Sequence, residues 1–318
     1  MSDSEMRILY VLTDLVAPLV VGYFIHQRKW ISDMMMNRII RFNIIVIYTL
    51  LSLLSFWVLP IDRELAIVPF FGFFLILFPG LIGQIFFARS YPNLLDRGAY
   101  LVSAFLSNIG TLGGVCAFIL YSEQGFAYSQ IIATCQNVLL VLLIFPLSQY
   151  FYLKHTGGTR KSSPVRDFCN LFFSWNQICL IGMAAGLYLN LHGIARPAAL
   201  TPIFAWLVHI SAWFAMLPVG YLIDFRRARP YLFTTKSLYF IRFIVMPAAA
   251  CLLAYFAFDS AIARNTMLIF ASCPTAINAV IAARLYKLNV DLPIASFLAT
   301  TTLYLLLFFP ILFFILHE

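Results

Sequence analysis

Apolar residues run along almost the whole chain in long, unbroken stretches, interrupted by short clusters of charged or turn-forming residues. Stretches of this length predict helices that cross a bilayer, which need about 20 residues each. Barrel strands would instead show short segments alternating between apolar and polar residues. The pattern predicts ten spans, at approximately 6–25, 38–58, 64–87, 98–120, 125–152, 172–190, 202–223, 236–258, 262–284 and 292–315. The fold class expected is therefore an all-α polytopic membrane protein.

Composition strengthens that reading. The 318-residue chain is 62% hydrophobic and only 11% charged, with a mean hydropathy of +0.90, whereas a soluble domain carries about 25% charged residues. The net charge of +8 raises nucleic acid as a partner. However, its Lys and Arg residues sit in the short connections between spans, where the rule that cytoplasmic loops are positive accounts for them. Arg28, Lys29, Arg38 and Arg41 flank the first connection, and Arg89 and Arg97 the third. Lys154, Arg160, Lys161 and Arg166 lie at the fifth, Arg226, Arg227, Arg229, Lys236 and Arg242 at the seventh, and Arg284 and Lys287 at the ninth. Only Arg7, Arg63, Arg196 and Arg264 remain for the other side. The expectation is a multi-pass protein of the cell membrane with both termini on the non-cytoplasmic side and no nucleic-acid partner.

The fifth connection, LKHTGGTRKSSPVRD at 153–167, is the most linker-like stretch and falls near the midpoint. It divides the chain into a first set of five spans (1–152), a cytoplasmic linker (153–171) and a second set of five (172–318). An odd number in each set makes the two halves inverted with respect to one another. A constant shift along the chain lays Gly22 on Gly186, Gly110 on Pro274 and Pro146 on Pro310, as expected of an internal repeat.

Two spans are interrupted at corresponding depths. The fourth contains SNIGTLGGV at 107–115, and the ninth contains Cys273, Pro274, Thr275 and Asn278. Glycines weaken a helix, and proline removes an intrahelical hydrogen bond. Taken singly, each motif has a simple reading as a packing surface or a kink. As a matched pair beside Asn108 and Asn278 they favour a site, because unwound backbone persists in a bilayer only where protein or a water-filled cavity satisfies it. A helix restarting after a break presents free N–H groups and a partial positive charge, which suits an anion such as a carboxylate. In this reading Asn108, Thr275 and Asn278 hydrogen-bond the substrate, and Gly110, Gly113 and Gly114 let it approach the backbone. Gln136 and Asn137 on the fifth span, with Asn43 and Ser52 on the second, are candidates to face the same cavity, Asn137 foremost because the fifth span packs beside the fourth; interhelical hydrogen bonding is the other reading of each, and no buried Lys or Arg is needed.

These residues also carry a resemblance. Gly22-Tyr23 before a basic turn, SNIGTLGG at 107–114, Pro218 to Gly220, RFIVMP at 242–247, PTAINAVIAARLY at 274–286 and the run from Asp291 to Pro310 resemble the auxin efflux carrier family. That family shares the ten-helix inverted-repeat fold of the bile acid symporter superfamily. The resemblance implies that spans four and nine cross at their breaks and hold the substrate through Asn108, Gly110, Pro274 and Asn278. It further implies that spans 1, 2, 6 and 7 form a scaffold, often dimeric, against which spans 3–5 and 8–10 move like an elevator. Val115 stands where the family pattern has proline, so the first crossover is expected to bend through Gly113 and Gly114 instead.

Other polar positions carry two readings each. Asp14, inside the first span, is either a proton-coupling group or a structurally paired or surface residue. His209 in the seventh span is a titratable group or a packing residue. Arg242, at the cytoplasmic end of span eight, is expected to snorkel to lipid phosphate. Six scattered cysteines lack the spacing of a metal site or disulfide framework, and no cofactor is expected. The function expected is transport of small organic anions by alternating access, coupled to protons or to the membrane potential. An anion channel or ligand sensor of the same fold is the alternative. A membrane-embedded enzyme is disfavoured because no HExxH, GxSxG or Asp-rich cluster occurs.

Overall fold

A computed structural model describes residues 9–157, 178–221 and 229–316. Within them the chain is helical, with no strand beyond one isolated bridge. A widened turn at Val11–Val16 leads into α1 (Ala17–Arg28). There follow α2 (Asp33–Val58), α3 (Arg63–Ser90), α4 (Leu94–Phe105) and α5 (Ile109–Thr156). The second part of the chain holds α6 (Cys179–Leu191), α7 (Leu200–Tyr221), α8 (Lys236–Ala257), α9 (Ala261–Ala271), α10 (Ile277–Leu285) and α11 (Asp291–Leu316). Six of these, α2, α3, α5, α7, α8 and α11, are long and apolar enough to cross a membrane. Phe70, Trp206, Phe256 and Phe314 are exposed on such helices, as Phe24 is on α1, which marks the protein as membrane-embedded. The expected linker begins inside α5, which runs to Thr156; its remainder from 158 onward, with Arg160, Lys161 and Arg166, and Arg226 and Arg227 of the seventh connection, lie outside the described residues.

Polar residues set several helix starts. Ser32, Asp62, Asn93 and Ser260 each accept a hydrogen bond from the backbone N–H of a residue in the first turn, satisfying donors that a helix leaves unpaired. Proline shapes the interiors. Pro18, Pro146, Pro247 and Pro310 each stand two residues after a widened turn, at Val11–Val16, Leu140–Ile144, Ile241–Val245 and Tyr304–Phe308. A proline ring obstructs the preceding turn and lacks an N–H, and a wider turn accommodates both. Within α5 the backbone leaves helical geometry at Tyr121 and Ser122, with Ser122 at φ 50°. The two limbs then run antiparallel, since Gly110 lies against Ala133, Gly114 against Ser129 and Gly125 against Ala117.

Packing sorts the helices into two groups. In one, α1 lies on α7 and α2 on α6. A Cβ on Gly22 would overlap the Leu217 carbonyl, and one on Gly186 would overlap that of Leu53. The second group joins α3, α4, α5, α8, α9, α10 and α11 through direct contacts. Connections also gather at two ends. At one end, Tyr91 donates to Thr234 O, and Asn289 Nδ2 donates to Asp96 and to the Tyr231 hydroxyl. At the other, Glu64 accepts from the Asp259 and Ser260 amides, Arg196 pairs with Glu123, Trp57 donates to Ile194 O, and Tyr121 donates to Leu316 O.

Candidate functional site

Both helix interruptions occur, and they pair with each other. After Phe105 the backbone extends at Leu106 (φ −92°, ψ 124°) and restarts as helix at Ile109. After Ala271 it leaves the helix at Ser272, is extended at Ala276, and restarts at Ile277. The two segments meet as an antiparallel bridge between Ser107 and Thr275. Asn108 N donates to Pro274 O at 2.8 Å, and Ala276 N donates to Leu106 O at 3.0 Å.

The bend expected at Gly113 and Gly114 does not occur there. Both glycines are helical, and the break precedes them at residues 106–108. The glycines serve close packing instead. A Cβ on Gly113 would sit 2.8 Å from Cys273 Sγ, one on Gly114 2.6 Å from Ser129 Oγ, and one on Gly110 2.7 Å from Ala133 Cβ. Side chains thus already fill the approach to all three. Pro274, by contrast, lies inside its break, where it contributes a carbonyl to the bridge.

The unwound backbone is almost fully satisfied by protein, as burial in a bilayer demands. Ser107 N donates to Gln136 Oε1 at 3.3 Å, and Thr275 N to Thr300 Oγ1 at 3.1 Å. The Thr275 hydroxyl turns inward to Ser103 O. Gln130 Nε2 donates to Gly110 O. The first amides of both restarted helices, those of Ile109, Gly110, Thr111, Leu112, Ile277 and Asn278, have no acceptor among the described residues. Asn108 accepts from the Thr111 hydroxyl through its side-chain oxygen. Asn278 and Asn137 are half-buried, with no side-chain hydrogen bond among the described residues. Asn137 lies one turn beyond Ala133, on the stripe of α5 that covers Gly110.

The largest departure from the sequence expectation concerns Arg242. It does not snorkel: its side chain is 1% exposed. Its Nη2 donates to three carbonyl oxygens at the end of α4, Ser103 at 3.1 Å, Ala104 at 2.8 Å and Leu106 at 2.7 Å. Arg242 sits in the widened turn before Pro247, which aims it into the protein. The ion pairs of the described residues are Arg196–Glu123 and His209–Asp14, so none of their carboxylates neutralises it. A buried cation at the crossing was not anticipated. The signal available was an arginine inside RFIVMP, within a turn of a proline.

Asp14 takes no part in the hydrogen bonds of the crossing. It is 4% exposed and accepts a 2.5 Å hydrogen bond from His209 Nδ1, joining the turn before α1 to α7. No group of three or more His, Cys, Asp or Glu side chains among the described residues is arranged to hold a metal ion. In comparisons with known proteins, no family model and no curated protein matches the chain.

Proposed function

We propose that the protein is a carrier of small organic anions, carboxylates foremost, which binds its substrate where the two interrupted helices cross. The observation that carries this reading is the charge balance of the crossing. Two helix N-termini bring about +0.5 each and two C-termini about −0.5 each, so they cancel. Arg242 then leaves about one net positive charge, and no carboxylate among the described residues opposes it. Unpaired amides and the partnerless side chain of Asn278 supply hydrogen-bond donors beside that charge.

The same reading takes the chain as ten spans in two inverted halves. The shift that relates Gly22 to Gly186 also relates Leu53 to Leu217, against which these glycines pack. It further relates Gln136 to Thr300, the two side chains that hold the bridge amides. Such equivalences are what a repeat supplies. The α1/α7 and α2/α6 pairs act as a scaffold, dimeric in the membrane, and the group carrying the crossing moves against it. Both termini lie on the non-cytoplasmic face.

The test is uptake into proteoliposomes. A panel of radiolabelled mono- and dicarboxylates should reveal saturable uptake, and preloading with unlabelled anion should accelerate entry by counterflow, which a channel does not do. Absence of uptake and counterflow for every carboxylate would reject the assignment.

A further inference from the structure

We infer that Arg242 is a tethered cation: its guanidinium occupies a carbonyl cage that would otherwise hold a coupling metal ion, so the carrier works without sodium. Carbonyls at the C-terminal ends of discontinuous membrane helices are the groups that bind Na⁺ in transporters built this way. Here the carbonyls of Ser103, Ala104 and Leu106, at the end of α4, converge within 3.1 Å on one nitrogen. Nη2 carries only two N–H groups, so three oxygens around it are held by charge as much as by directed hydrogen bonds. Arg242 Nε meanwhile is buried without a partner. Three carbonyl oxygens thus gather on one nitrogen of the guanidinium while another has no acceptor at all, the arrangement of oxygens around a cation rather than of five donors each given a partner.

The chemistry follows. A mobile cation in the cage would have to bind and leave with each cycle, which couples an anion to the sodium gradient. A covalently attached cation balances the anion's charge permanently, leaving the membrane potential or protons as the drive. That consequence rests on the transport reading above; occupation of the cage does not.

The experiment therefore uses no substrate. Full-length protein in detergent is melted in NaCl, KCl and choline chloride at equal ionic strength, as wild type, Arg242→Met and Arg242→Lys. Wild type should melt at the same temperature in all three salts. Arg242→Met should melt at least about 4 °C lower, and millimolar methylguanidinium or sodium should raise it saturably above its value in choline. Arg242→Lys, which keeps a cation on the stem, should retain most of the wild-type stability and its indifference to sodium. Specific stabilisation of the wild type by sodium would overturn the inference. So would an Arg242→Met variant that melts like wild type, or one that neither methylguanidinium nor sodium restores. If Arg242→Met does not fold, a folded, sodium-indifferent Arg242→Lys supports the proposal and an unfolded one refutes it. A protein that shows this melting pattern yet carries no anion would refute only the transport reading.

Discussion

Gly113 and Cys273 give the crossing a contact whose energy changes sign with its partner. Gly113 is helical at φ −60°, ψ −41°, so alanine there is unstrained and should gain about 1 kcal/mol of helix propensity over glycine. Its new Cβ would nevertheless lie 2.8 Å from Cys273 Sγ. Cys273 is fully buried in a segment held by the bridge, so relief is limited and the overlap should cost about 2–3 kcal/mol. Gly113→Ala is expected to destabilise by about 1–2 kcal/mol, the difference between these terms. In a Cys273→Ala background the sulfur is gone and only the Phe270 ring, 3.3 Å from the new Cβ, still opposes it, so the same change should run from neutral to stabilising by about 1 kcal/mol. The coupling between the two sites is then about 2 kcal/mol, well above the roughly 0.5 kcal/mol scatter of independent sites. SDS-driven unfolding in mixed micelles of the wild type, the two single variants and the double variant provides the cycle. Additive effects would mean that residues 113 and 273 do not touch, and the crossing as described would be wrong.

Three further predictions concern the frame around the crossing. Gly22→Ala and Gly186→Ala each push a Cβ into the backbone of a facing helix, which cannot swing aside as a side chain can. Each should cost about 3 kcal/mol in the same unfolding assay. Asp14→Asn and His209→Ala each disrupt a part-buried pair and should cost about 1–3 kcal/mol. Their sum should exceed the cost of the double variant in a cycle of unfolding measurements. Arg196→Gln and Glu123→Gln break a bidentate pair at 2.5 and 2.8 Å that ties the turn of α5 to the chain leading into α7. An elevator stroke must release that tie, so both variants should raise initial uptake rates while lowering melting temperature, and unchanged rates would place the pair outside the stroke.

The helical class of the fold was legible because a bilayer leaves the backbone few choices, and long apolar runs report it directly. The break in the ninth span was legible for the same kind of reason: Pro274 cannot complete a helix hydrogen bond wherever it packs. The break in the fourth span was anticipated in the correct stretch but assigned to the wrong residues. Gly113 and Gly114 look like helix breakers in sequence, whereas in the fold their missing side chains make room for Cys273 and Ser129. Extension at Leu106 comes from pairing with a segment that lies far along the chain, which local propensity does not encode. The inward turn of Arg242 is not legible in sequence, because its place near the end of a span fixes its depth but not its face. The turn widened before Pro247 sets that face. On α5, Gln136 rather than its neighbour Asn137 holds the bridge, a distinction of about 100° around a helix that composition cannot make.

Ligand-dependent melting tests the central assignment most directly, because a ligand that binds only the folded site raises its stability with concentration. With the carboxylate identified by uptake, wild type should show a saturable rise in melting temperature. Asn278→Ala, whose side chain has no hydrogen-bond partner to lose among the described residues, should melt like wild type without ligand and bind at least about tenfold more weakly, the loss of one hydrogen bond to a charged group. An Asn278→Ala protein that binds the anion as tightly as wild type would show that the anion is held somewhere other than the crossing.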